Sequence, residues 1–460
     1  MHHQNGSESG EEVLPRSVLR PLRTQLTEAI STERNSQMKT RQHSAVPTSS
    51  PKETPHSLTR RRFLGTTLIA GAGTLVGTAP FARPRLATAP FYKGMCYQPF
   101  PQPYDPSHAN NTCIFFGSDI AYNAMEPLWG PSYTSFSGRT FQGRNDLQTV
   151  KDMGVTLLRL YDWEPRNFHK RFLDKCVELG IKVLAPVSRY FLRPDQGFPN
   201  RRNLIPNLIR SFSDGETNNG STYHPAIAGI IMGNEPGICH CYTVEECSEF
   251  TKDWVEAEKR LRFPTTLPIG HPVDFGKDPG ETYPKWNFWR TLLDRNHLQH
   301  LKSRLFLAPQ PQNPASDLFV NFNGTGVGFV PATFQEFGVP LLFTELGNSR
   351  QEPNYEAVVR GQLEGSLAYG AAHPDQFLGI CHFQFADKVW KCPQFQCRDS
   401  EGSFGTHSHT NTVLVTVDYV PEDFTHVDAP HYNCNNQQLR PDMLVQNPTY
   451  AIVKGIYTKT

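Results

Sequence analysis

From residue 91 onward the sequence alternates short apolar runs with stretches of helical periodicity, and this pair recurs eight times. An uncharged run of about four to eight residues is typical of a strand buried on both faces, and an amphipathic helix after each run is typical of a parallel sheet. Eight such units predict an α/β fold, a single (β/α)8 TIM barrel with enlarged βα loops. A doubly wound sheet is the alternative, but the sequence lacks the glycine-rich phosphate loop that such sheets usually carry.

Local patterns predict where the elements begin and end. The predicted strands are Tyr92–Tyr97, Val155–Tyr161, Ile181–Val187, Ile227–Gly233, Thr266–Gly270, Arg304–Ala308, Pro340–Thr344 and Phe377–Phe383. The predicted helix Arg166–Leu179 has one apolar face, on which Phe168 lies. Thr243 and Glu246 form a capping-box sequence, which predicts a helix that runs to about Arg262.

The N-terminal part of the chain differs in composition from the rest. Residues 1–58 are polar and poor in large apolar side chains, which is typical of a disordered leader. Segment 59–89 begins Thr-Arg-Arg-Arg-Phe-Leu, continues as a weakly apolar run and ends Ala-Thr-Ala, and it resembles a twin-arginine signal peptide. A membrane anchor is the alternative, but the apolar run is shorter than the ~20 residues that span a bilayer. We therefore expect export to the periplasm or outside the cell, no stable membrane insertion, and a (β/α)8 domain over residues 90–460.

Charge and cysteine content limit the partners. The chain has 45 Lys and Arg against 44 Asp and Glu, and the basic excess falls in residues 1–89, so the remainder is net acidic. This balance argues against a nucleic-acid partner, which needs a basic face. The cysteines all follow residue 89, as expected for an oxidising destination. Cys239, Cys241 and Cys247 form one group and Cys392 and Cys397 another; we expect loop disulfides rather than a metal site, because the spacing matches no familiar zinc pattern.

The fourth predicted strand ends in a carboxylate. It runs without charge from Ile227 to Met232 and then reads Asn234-Glu235-Pro236 after a glycine. A charge placed there is not expected to serve packing, because an unpaired buried charge is costly. Pro236 should push Glu235 towards extended geometry, with its side chain at the mouth of the barrel, where the active sites of such barrels lie.

The seventh predicted strand ends in the same way, in Thr344-Glu345. Two carboxylates that flank one bond are what glycoside hydrolysis needs: one protonates the leaving oxygen and the other attacks the anomeric carbon. A separation of ~5–5.5 Å predicts retention of configuration and one of ~6.5–9.5 Å predicts inversion. For either glutamate alone, a structural salt bridge at the barrel end is the alternative.

These motifs resemble a known group of enzymes. Asn234-Glu235-Pro236 and Thr344-Glu345-Leu346-Gly347 are similar to the acid/base and nucleophile signatures of clan A glycoside hydrolases, which are retaining (β/α)8 enzymes. Lys93–Pro99 and the blocks within Asn145–Tyr161 resemble, more narrowly, family 72 β-1,3-glucanosyltransferases and family 17 β-1,3-glucanases.

The resemblance implies a role for each residue of the motifs. It implies that Glu235 is the acid/base, Glu345 the nucleophile and Asn234 a hydrogen-bond donor to the sugar 2-hydroxyl. It also implies that Arg159 keeps the nucleophile ionised. General electrostatics agrees, because a guanidinium beside a carboxylate lowers the carboxylate pKa; a purely structural ion pair is the alternative.

Aromatic side chains near the strand ends predict a carbohydrate groove, since flat rings stack on the C–H faces of sugars. They are Tyr97, Tyr161, Trp163, Phe385 and Trp390. Each of them alone is more typical of core or loop packing, whereas the set together fits a carbohydrate groove. His271, at the end of the fifth predicted strand, is a candidate contact for a sugar hydroxyl, with a structural histidine as the alternative.

Together these features predict an exported retaining β-glycoside hydrolase or transglycosylase that acts on a β-glucan. The expected linkage of that glucan is β-1,3. The expected partner is a polysaccharide or oligosaccharide substrate, and we expect no cofactor, no metal and a monomer. A non-catalytic carbohydrate-binding barrel is one alternative. The same enzyme class acting on β-1,4-glucan or β-mannan is another.

Overall fold

The computed structural model describes most of the region that carries the strand–helix pattern. The described residues are 91–99, 119–120, 126–134, 138–195, 197–215, 220–264, 267–388, 402–413, 417–418, 438–439 and 442–459. The predicted leader, 1–58, and the predicted signal peptide, 59–89, lie outside these ranges. Within them, no helix has the length and apolar character needed to cross a membrane.

In the described part of the chain, eight parallel strands close into a barrel. They are β1 (Tyr92–Cys96), β2 (Leu157–Arg159), β3 (Lys182–Val187), β4 (Ile227–Met232), β5 (Ile269–Asp274), β6 (Leu305–Gln310), β7 (Leu341–Leu346) and β8 (Phe377–His382). Each strand pairs with the next along the chain. Gly94 of β1 lies opposite Leu157 of β2 and Cys381 of β8, which closes the ring. The predicted (β/α)8 TIM barrel is confirmed.

Helices connect the strands, and small antiparallel pairs enlarge the loops after β1 and β8. Among the described residues, the α-helices are Glu126–Trp129, Asp146–Asp152, Lys170–Glu178, Arg201–Ser211, Pro236–Cys239, Val244–Leu261, Trp286–Leu292, Ala315–Phe319, Phe329–Phe337, Tyr355–Ala372 and Pro448–Tyr457. The 3-10 helices are Arg189–Leu192, Phe198–Asn200, Gln299–Arg304 and Phe322–Gly324. The antiparallel pairs are Ser132–Thr134 with Thr140–Gln142, His407–Val413 with Asp442–Gln446, and Val417–Asp418 with Gln438–Leu439.

Two apolar clusters form the core, as expected for a barrel whose strands are buried on both faces. The larger one contains Ile230 of β4 together with Trp254 and Leu363 from the surrounding helices. The smaller one fills the barrel and includes Ile231 and Phe306. Neighbouring residues of β4 therefore face different clusters, which explains why the strand is apolar throughout.

The predicted capping box is present at the start of helix Val244–Leu261. The Thr243 hydroxyl accepts from the Glu246 N–H at 3.2 Å, and the Glu246 carboxylate accepts from the Thr243 N–H at 2.6 Å. These bonds satisfy two donors that the helix itself leaves unpaired. The predicted apolar face of the preceding Arg166–Leu179 segment is only partly correct. The helix begins at Lys170, and Phe168 lies before it and is exposed.

The ends of β5 and β7 differ from the predicted ends. β5 was expected over Thr266–Gly270 but runs to Asp274, so His271 lies inside the strand. β7 extends to Leu346, so Glu345 is its penultimate residue rather than the residue after its end. Parallel pairing carries β5 to Asp274, opposite Gln310, and β7 to Leu346, opposite His382. This tertiary effect is not visible in local composition.

Candidate active site

Glu235 lies in a tight turn that joins β4 to helix Pro236–Cys239. Its φ of 48° and ψ of 63° are left-handed, so the extended geometry expected from Pro236 is wrong. The chain must turn directly from strand to helix, and the Glu235 N–H donates to the Pro272 carbonyl of β5 at 3.0 Å. A non-glycine residue in this region is strained by about 1–3 kcal/mol, and such strain tends to occur at functional sites.

Glu345 is held at the mouth of the barrel by donors from two other strands. Its Oε1 accepts from the Arg159 guanidinium at the end of β2, from the Tyr161 hydroxyl at 2.9 Å and from Gln310 Nε2 of β6 at 3.0 Å. Only 16% of the Glu345 side chain is exposed, and Arg159 is buried. Charge-assisted hydrogen bonds of this kind fix a carboxylate in one orientation and favour its ionised form.

Asn234 connects the two glutamates through its side-chain amide. Its Oδ1 accepts from Arg159 and, at 2.9 Å, from Gln310 Nε2. Its Nδ2 donates to Glu235 Oε2 at 3.0 Å. Arg159 and Gln310 therefore each bind both Asn234 and Glu345. The two carboxylates belong to one hydrogen-bonded network in which a single asparagine side chain separates Glu235 from the donors to Glu345.

Burial and charge act together on Arg159, the last residue of β2, and on Tyr161, which follows it. The Arg159 guanidinium carbon lies 3.7 Å from the centroid of the Tyr161 ring. Burial opposes the charged guanidinium, but Tyr161 and Glu345 outweigh it and raise the pKa of Arg159. Burial raises the pKa of Tyr161 well above its usual value, against the opposing effect of Arg159. Tyr161 is thus a neutral phenol that donates to a carboxylate, beside a permanent cation.

Other aromatic residues predicted for the groove are packed in the core instead. Tyr97, Trp163 and Phe385 are each at most 2% exposed, so none has a free face for a sugar ring. Tyr97 donates to Asp146 at 3.0 Å and packs edge-on against Phe385. Trp163 is stacked on a histidine at 3.6 Å and donates to a serine. Tyr161 is the predicted aromatic that the described structure brings to the carboxylates, and Trp390 lies outside the described residues.

His271 does not join the carboxylates. It lies within β5 and its Nε2 is 3.1 Å from the Thr251 hydroxyl of helix Val244–Leu261, so the ring points out of the barrel towards the helices. Burial lowers its pKa to about 3, so it is neutral. The prediction of a sugar contact is wrong because β5 continues past Gly270, so His271 is a buried residue within the strand rather than a residue at its end.

The cysteine predictions meet a mixed outcome. Cys241 is disulfide-bonded, whereas Cys247 is free and buried, so Cys247 takes no part in a loop disulfide. Cys392 and Cys397 lie outside the described residues. Across the described ranges no group of His, Cys, Asp and Glu is arranged to hold a metal ion.

Two residues of the mouth are not among the sequence predictions. Gln310 ends β6 and bridges Asn234 and Glu345. Lys388 follows β8, and its ammonium lies 4.7 Å from the centroid of the Tyr161 ring. Gln310 carries no clear signal in the sequence, because an uncharged amide at the end of an apolar strand raises no packing conflict. Lys388 lies in a loop whose sequence has no periodicity.

The arrangement can support nucleophilic displacement at an acetal carbon. Because Arg159, Tyr161 and Gln310 all donate to Oε1 of Glu345, the other carboxylate oxygen is the one that can attack. Glu235, whose Oε2 accepts from a neutral amide, can carry the proton for a leaving group. Separate environments for two carboxylates are how one site provides both a nucleophile and an acid.

The chain is similar in sequence to a 1,3-beta-glucanosyltransferase, PGA5, of Candida albicans. The two are 22% identical over 280 residues, which is 58% of this chain and 42% of the relative. The match therefore spans less than half the length of that relative. It confirms the resemblance to β-1,3-glucanosyltransferases that the motifs predicted. No protein-family profile matches the chain.

Among solved structures, the chain is similar to Saccharomyces cerevisiae Gas2p in complex with laminaripentaose. The identity is 15%, the match covers 80% of this chain and 65% of that one, and the TM-score is 0.47. It is also similar to a GH2 beta-galacturonidase from Eisenbergiella tayi bound to galacturonate. That match has 17% identity, covers 80% of this chain and 51% of the other, and has a TM-score of 0.42.

Proposed function

We propose that this protein is a retaining β-glycoside-active enzyme that transfers or hydrolyses β-1,3-glucan chains by double displacement. The observation that carries the proposal is the shared network of Glu235, Asn234 and Glu345, in which donors converge on one oxygen of Glu345. The similarity to a 1,3-beta-glucanosyltransferase supports the substrate class and favours a sugar over water as the acceptor.

In the first step Glu345 attacks the anomeric carbon of the bound glucan through its second oxygen. The glycosidic bond breaks, Glu235 gives its proton to the leaving oxygen, and a glycosyl ester forms on Glu345. Arg159, Tyr161 and Gln310 remain on Oε1 and orient the carboxylate for attack.

In the second step Glu235, now ionised, removes a proton from the incoming hydroxyl. That hydroxyl attacks the anomeric carbon, the ester bond breaks and Glu345 is regenerated. A glucan hydroxyl as acceptor gives a longer chain, and water gives hydrolysis. In this scheme Asn234 donates to the sugar 2-hydroxyl, a role that the family resemblance implies and that the contact of its Nδ2 with Glu235 supports.

Azide rescue tests the two roles separately. With an activated aryl β-laminaribioside, Glu345→Ala should be nearly inactive and azide should restore turnover with α-glycosyl azide as the product. Glu235→Ala should instead give β-glycosyl azide, because its glycosyl ester still forms on Glu345. Glu256→Gln, on an exposed carboxylate of helix Val244–Leu261, is the matched control and should keep full activity.

Product analysis tests the substrate class. Laminarin oligosaccharides, cello-oligosaccharides and manno-oligosaccharides are each incubated with the protein and the products are followed by NMR and mass spectrometry. Longer β-linked products from the laminarin oligosaccharides would support the proposal. Turnover of only the β-1,4-linked sugars would contradict the assignment of β-1,3-glucan as the substrate. Binding of laminarin without any turnover would contradict the enzyme reading in favour of a carbohydrate-binding barrel.

We also propose export through the segment 59–89, on the basis of its arginine-rich start and weakly apolar run. A fusion of residues 1–90 to a reporter that is active only after twin-arginine export should be exported. Replacing Arg61 and Arg62 by lysine should stop that export, and unchanged export would contradict the proposal.

A further inference from the structure

Lys388 brings a second cation to the nucleophile site. It is 7% exposed, and its ammonium lies 4.7 Å from the centroid of Tyr161 and 4.6 Å from that of Phe383. Phe383 belongs to the cluster that fills the barrel. The charge of Lys388 also lowers the pKa of the Cys96 thiol, although burial dominates and raises that pKa to about 12. The ammonium therefore points back towards the floor of the mouth.

The backbone that carries Lys388 is fixed by its neighbour. The Asp387 carboxylate accepts hydrogen bonds from the two terminal guanidinium nitrogens of Arg350, at 2.9 and 2.8 Å, and from the Gly405 N–H at 2.8 Å. The Lys388 N–H donates to the Gly402 carbonyl at 3.2 Å. A lysine on such an anchored segment has little freedom to leave the Tyr161 ring.

Tyr161 is consequently in contact with two cations. Arg159 lies 3.7 Å from its centroid and Lys388 lies 4.7 Å from it. Cations over an aromatic face are attracted by its electron density, and they withdraw that density from the ring. A phenol polarised in this way is a stronger donor, and its hydroxyl donates to Glu345 Oε1 at 2.9 Å.

We propose that Lys388 is a positioning residue for the nucleophile: it holds Tyr161 in place as a donor to Glu345 and adds positive charge to the site of that carboxylate. This inference rests on the proposed function, because it assigns a role within the same reaction. Lys388 acts through Tyr161 and contributes to the rate without touching the reacting carbon.

The sign of the expected pH effect follows from the groups that face Glu345. Arg159 of β2 supplies a positive charge, whereas Tyr161 and Gln310 are neutral donors. The thiols of Cys96 in β1 and Cys381 in β8 are protonated, because burial raises their pKa. Glu235 is reached through Asn234. Removing the Lys388 charge leaves less positive charge around the Glu345 carboxylate, so activity should be lost at a higher pH on acidification.

Covalent labelling of Glu345 by 2-deoxy-2-fluoro-β-laminaribiosyl fluoride measures this directly, because the second glutamate is not needed to expel fluoride. The carboxylate forms a bond to the anomeric carbon as fluoride leaves, and the labelled protein is counted by mass spectrometry. For Lys388→Met we expect the acid limb of the pH profile of the labelling rate to shift to higher pH by roughly 0.5–1 pH unit. Lys388→Arg should keep the wild-type limb.

Lys302→Met is the matched control, since Lys302 is exposed on the 3-10 helix that precedes β6. A double variant with Tyr161→Phe adds a second readout, because the effects of Lys388→Met and Tyr161→Phe should be less than additive if one acts through the other. If Lys388→Met does not fold, Lys388→Gln replaces it in both measurements.

The outcomes separate the inference from the function it rests on. If the wild type is not labelled at all, the proposed function fails. If the wild type is labelled and Lys388→Met shows the same acid limb and fully additive effects with Tyr161→Phe, the positioning role of Lys388 is overturned.

Discussion

At the scale of single residues, Gln310 shows what decides the geometry of this site. Its Nε2 donates to both Asn234 and Glu345, so one neutral amide sets the orientation of two functional side chains. The carboxylates themselves were predictable, because a charge at the end of an apolar strand has no packing explanation. A glutamine in the same position raises no such conflict, so the sequence alone does not single it out.

Replacing Gln310 by methionine, which has a similar length, removes this bridge without opening a large cavity. A hydrogen bond to a charged group contributes about 1.5–3 kcal/mol, so kcat/KM on laminarin oligosaccharides should fall by about 10- to 100-fold. Gln312→Met, two residues on and exposed, should leave kcat/KM unchanged. Equal activity of the two variants would show that the Gln310 bridge is not used in the transition state.

At the scale of elements, strand ends explain both the successful and the failed predictions. Asn234 and Glu235 lie just beyond the end of β4 and Glu345 lies one residue before the end of β7, because these strands stop, or nearly stop, where the apolar run does. His271 was misplaced because β5 runs on through a proline and a valine to Asp274. Rings such as Trp163 follow a strand in sequence yet fold back into the core, and only tertiary packing decides that.

The short helix Pro236–Cys239 positions Glu235 because it packs closely on β5. A Cβ added to Gly237 would lie 2.5 Å from Asp274 Oδ1, and Asp274 is held by Lys285 at 3.2 Å. Gly237→Ala should therefore displace the turn that carries Glu235. Because a misplacement of about 1 Å can lower a rate by about 100-fold, we expect kcat to fall by about 10- to 100-fold with a small change in melting temperature.

Gly361→Ala is the matched control for that variant. Gly361 is in helix Tyr355–Ala372, and a Cβ there would meet no atom within 4 Å. Alanine is favoured over glycine inside a helix, so the free energy of unfolding should rise by about 0.5–1 kcal/mol with kcat unchanged. A loss of activity from Gly361→Ala equal to that from Gly237→Ala would mean that the effect is not specific to the Glu235 turn.

At the scale of the whole molecule, the residues proposed for the reaction and the titrating residues that affect folding lie in different parts of the barrel. The mouth carries Glu235 and Glu345, whereas fully buried histidines lie on the strands themselves. Burial lowers the pKa of His271 to about 3 and that of His382 to about 4, so both are neutral in the folded protein. These rings belong to the core, and acid should therefore act on folding through groups that take no part in the reaction.

The sign of this acid effect follows from proton binding. In the unfolded chain a histidine binds a proton below about pH 6.5, whereas His271 and His382 stay neutral in the folded protein until about pH 3 to 4. The unfolded state thus gains protons first, and the free energy of unfolding falls as the pH drops from about 6.5 towards about 4. We expect each histidine to contribute a loss on the order of 1–2 kcal/mol between about pH 7.5 and about pH 5, measured by urea unfolding.

The variant His382→Met tests the assignment, because it keeps the site filled and removes the titrating group. It should lose part of the difference in unfolding free energy between the two pH values, while His300→Gln, at an exposed histidine, should keep all of it. An unchanged pH dependence in His382→Met would place the acid sensitivity elsewhere, with the carboxylates of the mouth as the next groups to examine. Because the labelling of Glu345 responds to the charge of Lys388 and unfolding responds to His382, the two acid limbs should move independently in the corresponding variants.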